Sequence, residues 1–307
     1  MSPTTINPPA DLSKIRLVAS DLDGTLIVGS FNGGNLSQRT IAVLHALEKK
    51  GIRIVFASGR PTRTMIHAVE QAGLSNLMVV CCNGAQIVDS QTKAIVKKFS
   101  ISSDHVREIS TKVKAAFGDE AYIGAECGAQ FKCEQGYADI RRPSMNHAHK
   151  IIDDPRRDFF QTQEDTVEKI IIVHKTWPAD KLYEYLLGNV FPEKSWLDVI
   201  YPTYSSKYFV EISAAGVSKA TALQHLCEKL DVSKEEVIAF GDMPNDIEMI
   251  KFAEHVPPSH FNSMMLTGVG VAMGNAHEDV KALANMVTGD NIDDGVAVVL
   301  EKLVAQL

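Results

Sequence analysis

Two aspartates one residue apart, Asp21 and Asp23, follow the nearly uninterrupted apolar run Ile15-Arg16-Leu17-Val18-Ala19-Ser20. Carboxylates this close repel each other, so a cation between them or a proton on one of them is needed to hold the pair together. Gly24 permits a tight turn that brings backbone N–H groups toward an anion, and Thr25 adds a hydroxyl beside it. Another small hydroxyl and a glycine stand in Ala57-Ser58-Gly59-Arg60. Lys219, at the start of a helix after Gly216-Val217-Ser218, sets an ammonium beside the positive helix end, a cradle for phosphate. Gly241-Asp242-Met243-Pro244-Asn245-Asp246 contributes two more carboxylates and an amide. Such hard oxygen donors suit Mg2+, which keeps waters and accepts a substrate phosphate as a further ligand. Each segment alone also has a structural reading: an Asp-rich turn, a Gly turn, a solvated lysine, and an Asn245 or Asp246 that caps a helix.

The elements that must carry these residues alternate. Apolar runs at 15–20, 52–57, 77–82, 237–240 and 269–273 read as buried strands, and the segments between them carry helical periodicity. Ser37 is an N-cap for a helix to Lys50, and Gly73 closes a helix from Thr62 to Ala72. Helices over 218–230, 245–253 and 294–307 complete the pattern. This is the signature of an α/β fold with a doubly wound parallel sheet, whose ligands collect at the carboxyl ends of strands. From about Gln86 to Tyr204 the pattern changes. Strands are expected there over 95–99, 121–125, 170–173 and 197–200, with helices over 103–117 and 179–187. The chain therefore divides into a flexible leader over 1–11, a discontinuous core domain over 12–86 and 205–307, and an inserted α/β domain over 87–204.

With 45% hydrophobic and 22% charged residues, the 307-residue chain has the composition of a globular protein rather than a disordered one. Its net charge of -7 argues against a general nucleic-acid or anionic-membrane binder, which needs a surplus of Lys and Arg. The longest apolar runs fall well short of the roughly 20 residues that a membrane-spanning helix requires. Cys81, Cys82, Cys127, Cys133 and Cys227 lack a Cys-x-x-Cys pair and are odd in number, which suits plain thiols in a reducing compartment. With no signal-like N-terminus, the expected location is the cytoplasm.

In the order D-x-D, Ser, Lys, D-x-x-N-D, the four chemical segments resemble the haloacid dehalogenase-like hydrolase superfamily, and within it the Cof-type metabolite phosphatases. Asn83-Gly84-Ala85, Gly216-Val217-Ser218-Lys219, Gly270-Val271-Ala272-Met273-Gly274-Asn275-Ala276 and Asp294-Gly295-Val296-Ala297 fit the same branch. The resemblance implies a Rossmann-like core with an α/β cap and hydrolysis of a small phosphorylated metabolite, a sugar phosphate foremost. It implies Asp21 as nucleophile and Asp23 as proton carrier, with Gly24, Thr25, Ser58, Gly59, Lys219 and Asn245 around the phosphate. It further implies Mg2+ on Asp21, the backbone carbonyl of Asp23, and Asp242, with Asp246 close behind. Asp23 argues against the related ion pumps, which carry Thr there. A hexose-phosphate mutase and a catalytically silent binding module are the alternatives.

Two stretches fall outside this pattern. Residues 254–267, with His255, Pro257, Pro258, His260, Met264 and Met265, intervene where relatives run almost directly into the next strand, and read as a surface elaboration. The most basic part of the insert runs from Arg141 and Arg142 to Lys150, followed by Arg156 and Arg157. It reads either as a solvated loop paired with Asp139, Asp153, Asp154 and Asp158 or as a reader of the substrate's leaving group.

Overall fold

A computed structural model describes residues 12–28, 34–141, 148–161, 165–253 and 268–307. The expected leader over 1–11, the 254–267 segment and Arg142 lie outside the described residues. Two large sheets organise the rest. The first runs Met286–Val287, Val269–Ala272, Val237–Gly241, Leu17–Ser20, Arg53–Ala57, Leu77–Cys81, Gln86–Asp89, Ile95–Lys98 in spatial order. Its first six strands pair in parallel, and the last two add antiparallel.

Side chains alternate across each strand, so both faces of this sheet must be covered. Val18, Ile54, Phe56 and Phe240 pack with Leu44, Leu47, Met65 and Leu300 from the helices Gln38–Lys49, Thr62–Ala72 and Gly295–Gln306. Leu17, Ala19, Val55 and Ala239 face the other way, onto Leu223 and Met249 of Lys219–Leu230 and Ile247–Ala253. The sheet is thus doubly wound. Its helix ends follow the sequence signals: Ser37 accepts from the Thr40 N–H, and Gly73 closes its helix at φ 60. The five cysteines are buried and free of disulfides.

The second sheet runs His149–Ile152, Gln130–Glu134, Ala121–Cys127, Lys169–His174, Phe209–Ala214, Ile200–Ser206. Ile170 and Ile172 face a cluster with Val106, Ile109 and Val113 of Ser103–Phe117 and Leu182 of Ala179–Tyr185. Ile171 and Val173 face oppositely and pack with Phe131, Tyr137 and Phe209.

Several details differ from the periodicity. Ile95–Lys98, expected in the insert, pairs with Gln86–Asp89 on the first sheet. Hydrogen bonding carries that sheet to Lys98, and it carries the second sheet to Ala214, beyond the junctions at 86/87 and 204/205 that the change of pattern suggested. A hairpin's sequence does not say which sheet edge it joins. In place of a strand over 197–200, Lys194–Asp198 forms a short 3-10 helix, because buried Trp196 turns inward onto Phe191 while Leu197 is left exposed.

Candidate active site

Register explains how distant residues meet. Ser20 lies opposite Phe240 on one side and Phe56 on the other. One or two residues further on, at the carboxyl ends of three parallel strands, come Asp21, Asp242 and Ser58. The strand Leu17–Ser20 has Val237–Gly241 and Arg53–Ala57 as its neighbours, and this change of direction in strand order opens the crevice in which α/β sheets hold ligands.

Lys219 is wholly buried, and its Nζ donates to Asp21 Oδ1 at 2.5 Å and to Asp246 Oδ1 at 2.6 Å. Burial opposes its charge, yet Asp21 and Asp246 outweigh that penalty and hold its pKa above the usual lysine value. The other oxygen of Asp246 accepts the N–H groups of Asp242 and Met243, both at 3.0 Å, and so pins the loop that presents Asp242. Asp21, Asp242 and Asp246 bring carboxylate oxygens within 4.8 Å of one another, all buried. Burial pushes Asp21 up to about 7 against the pull of Lys219, with Asp246 and Asp23 pushing the same way as burial. Asp242 is raised well above the carboxylate range, again by burial first and then by Asp21 and Asp246. A divalent cation among these oxygens would reverse both shifts, and hard carboxylate donors fit Mg2+.

Gly24 is required at its position. Its φ is +83, and a Cβ there would stand 2.3 Å from Asp242 Oδ2. Its carbonyl accepts from Asn275 Nδ2 at 2.8 Å, a contact that the sequence alone does not reveal. The Thr25 hydroxyl, expected near phosphate, donates to Asp242 Oδ1 at 2.9 Å, so it orients the acidic cluster instead. The side chain of Asp23 stands apart from that cluster. Arg60 holds it in a fork, Nε to Oδ2 at 2.6 Å and Nη2 to Oδ1 at 2.5 Å.

A cavity of about 310 Å3 opens between the two sheets. Asp21, Asp23, Ser58, Gly59, Arg60 and Asn245 line its floor, and Glu126, Phe131, Tyr137, Arg141, Ile171 and Phe209 line its roof. Asn245 Nδ2 donates to Asn83 Oδ1 at 3.0 Å. Arg141 lies over the Phe209 ring, 4.8 Å from its centroid. Arg156 and Arg157 pair instead with Asp154 and Asp158 at the surface. Asp21, Asp23, Ser58, Gly59 and Asn245, singled out in the sequence, meet at this floor, whereas Arg60, Asn83, Glu126, Lys169 and Glu211 were given no part in the site there. Arg60 was the legible one, a cation two residues beyond Ser58 on the same strand end. The roof residues lie on strands whose order no local pattern reveals.

A model of the haloacid dehalogenase-like hydrolase family matches residues 18–300. A 5-amino-6-(5-phospho-D-ribitylamino)uracil phosphatase of Bacillus subtilis is 29% identical over 292 residues, covering 92% of this chain and 93% of that protein. A pyridoxal phosphate phosphatase of Escherichia coli is 29% identical, covering 92% and 96%. Among solved structures, a haloacid dehalogenase-like hydrolase from Bacteroides thetaiotaomicron superposes with a TM-score of 0.70 at 28% identity, covering 94% of this chain and 99% of that one. No helix among the described residues is long and apolar enough to cross a membrane.

Proposed function

The chain belongs to the haloacid dehalogenase-like hydrolases, and from that premise we propose that it is a magnesium-dependent phosphatase working through an aspartyl-phosphate on Asp21. Its substrate is a small phosphorylated metabolite, a sugar phosphate or an ester of the size its relatives are named for, met in the cytoplasm. The observation that carries this reading is the buried cluster of Asp21, Asp242 and Asp246, with Lys219 bonded to Asp21 and Asp246, of which Asp21 reaches the floor of a cavity near the small end of ligand pockets.

Asp21 attacks phosphorus in line. Its bond to phosphorus forms as the bond to the leaving oxygen breaks, which divides one difficult displacement into two easier ones. Asp23 gives a proton to the leaving alkoxide, then takes one from the water that cleaves the aspartyl-phosphate and releases inorganic phosphate. Ser58, Asn245 and the backbone at Gly24 and Gly59 hold the phosphoryl oxygens, and Lys219 offsets their charge. The carboxylates of Asp21 and Asp242 and the backbone carbonyl of Asp23, with Asp246 behind, would hold Mg2+, which would supply further neutralisation of the transferring group. Thr25 acts at one remove, through Asp242. Arg60 holds Asp23 at the cavity floor, aimed for proton transfer. The second sheet and its helices, between Lys98 and Ala214, act as the cap that excludes water and selects the leaving group.

A panel of phosphorylated metabolites assayed with and without Mg2+ tests the reading. Free inorganic phosphate is expected with magnesium only. An isomerised sugar phosphate without phosphate release would replace the hydrolase by a mutase.

A further inference from the structure

The turn Ser58-Gly59-Arg60 carries both a phosphate-binding hydroxyl and the arginine that holds Asp23, and its middle carbonyl is held from the opposite sheet. Lys169 and Glu211 lie on neighbouring antiparallel strands, on the face of the second sheet that looks onto the cavity. Both are almost fully buried, at 3% and 1% exposure. Lys169 Nζ donates to Glu211 Oε1 at 2.5 Å and to the Gly59 carbonyl at 2.6 Å. A Cβ on Gly59 would stand 3.2 Å from Glu211 Oε1 and 3.1 Å from Asn83 Oδ1, so the backbone is pressed closely beneath the pair.

The peptide that presents its carbonyl to Lys169 is the one whose N–H, that of Arg60, donates to Ser58 Oγ at 3.1 Å. A charge-assisted bond to the carbonyl polarises the whole peptide and strengthens its N–H as a donor. We propose that Lys169, held by Glu211, is a positioning residue that fixes the Gly59–Arg60 peptide and, through it, the Ser58 hydroxyl that receives phosphate. Lys169 acts on the turn, not on the leaving group, so its effect is the same for every phosphoryl donor. The cap thereby does more than choose a substrate: seated on the core, it completes the phosphate-binding turn. In its kinetic consequences this rests on the phosphatase reading above.

The test is the full chain with Lys169→Met/Glu211→Gln, a pair of changes that leaves neither charge buried alone. Two quantities are read on folded protein with Mg2+: affinity for inorganic phosphate by calorimetry, and kcat/KM for acetyl phosphate beside that for a bulky phosphate ester. The expected result is a loss of roughly tenfold or more in kcat/KM, equal for the two donors, with weaker phosphate binding. Values within twofold of wild type overturn the proposal, and so does a loss confined to the bulky ester, which would make Lys169 a leaving-group contact. If wild type binds phosphate but hydrolyses neither donor, the phosphatase reading falls and the affinity difference alone decides. If wild type does neither, both fall. Should the double variant not fold, Lys169→Leu/Glu211→Leu, an apolar pair that needs no partner, takes its place under the same criteria.

Discussion

Lys219 and Arg60 divide the site's carboxylates between them. Lys219 takes Asp21 and Asp246, while Arg60 takes Asp23. This separation keeps the proposed nucleophile and the proposed proton carrier, two residues apart in the chain, in different electrostatic settings. It makes Arg60→Ala informative. Without its fork Asp23 loses its aim, and an ester with a poor leaving group, which needs a proton as it departs, should suffer roughly 100-fold in kcat. An acyl phosphate, whose leaving group needs no proton, should lose much less. A steady-state comparison of the two donors checks this, and equal losses would give Arg60 a phosphate-binding part instead. The aspartates, Ser58 and Lys219 were all legible as residue types that could do chemistry. Which carboxylate faces which cation was not, because Lys219 reaches Asp21 across a chain separation of 198 residues.

Two helix starts are capped by serine, and they differ in what depends on them. Ser218 caps Lys219–Leu230 with a reciprocal bond to Thr221, one residue before the lysine of the site. Ser37 caps Gln38–Lys49, which packs on the far side of the sheet from that lysine's helix. Replacing either serine with alanine should cost about 1 kcal/mol, read as a lower unfolding temperature. Only Ser218→Ala should also lower kcat/KM, since fraying there moves Lys219. Equal activity in the two variants would show that the helix start is not what positions the lysine. The Ser37 cap, the Gly73 stop and the parallel strands followed from local patterns, because capping and burial on both faces are local demands. The destination of the hairpin over 86–98 and the short helix at 194–198 did not. They depend on which sheet edge is open and on where Trp196 finds a pocket.

Across the whole molecule, two sheets meet over one acidic floor. Arg63 of the first-sheet side joins Glu126 of the second at 2.7 Å, and Lys169 reaches back to Gly59. The fold class and the floor were readable because strand ends in a parallel sheet share one edge. The roof was not, because it depends on tertiary strand order. Burying Asp21 and Asp242, both raised by that burial, beside Asp246 is a cost of folding, so a cation that binds only the folded state should stabilise it. At 100 times its Kd, Mg2+ should add about 2.7 kcal/mol, seen as a rise in unfolding temperature, and Asp242→Asn should remove most of that rise. An unchanged magnesium response in that variant would place the ion elsewhere. The most direct test of the central claim is phosphate release by wild type and Asp21→Asn, assayed side by side in Mg2+ on one phosphorylated metabolite. Wild type should turn over, and the variant should fall by about 1000-fold or more while remaining folded. Phosphate release by Asp21→Asn at a rate near that of wild type would contradict the claim.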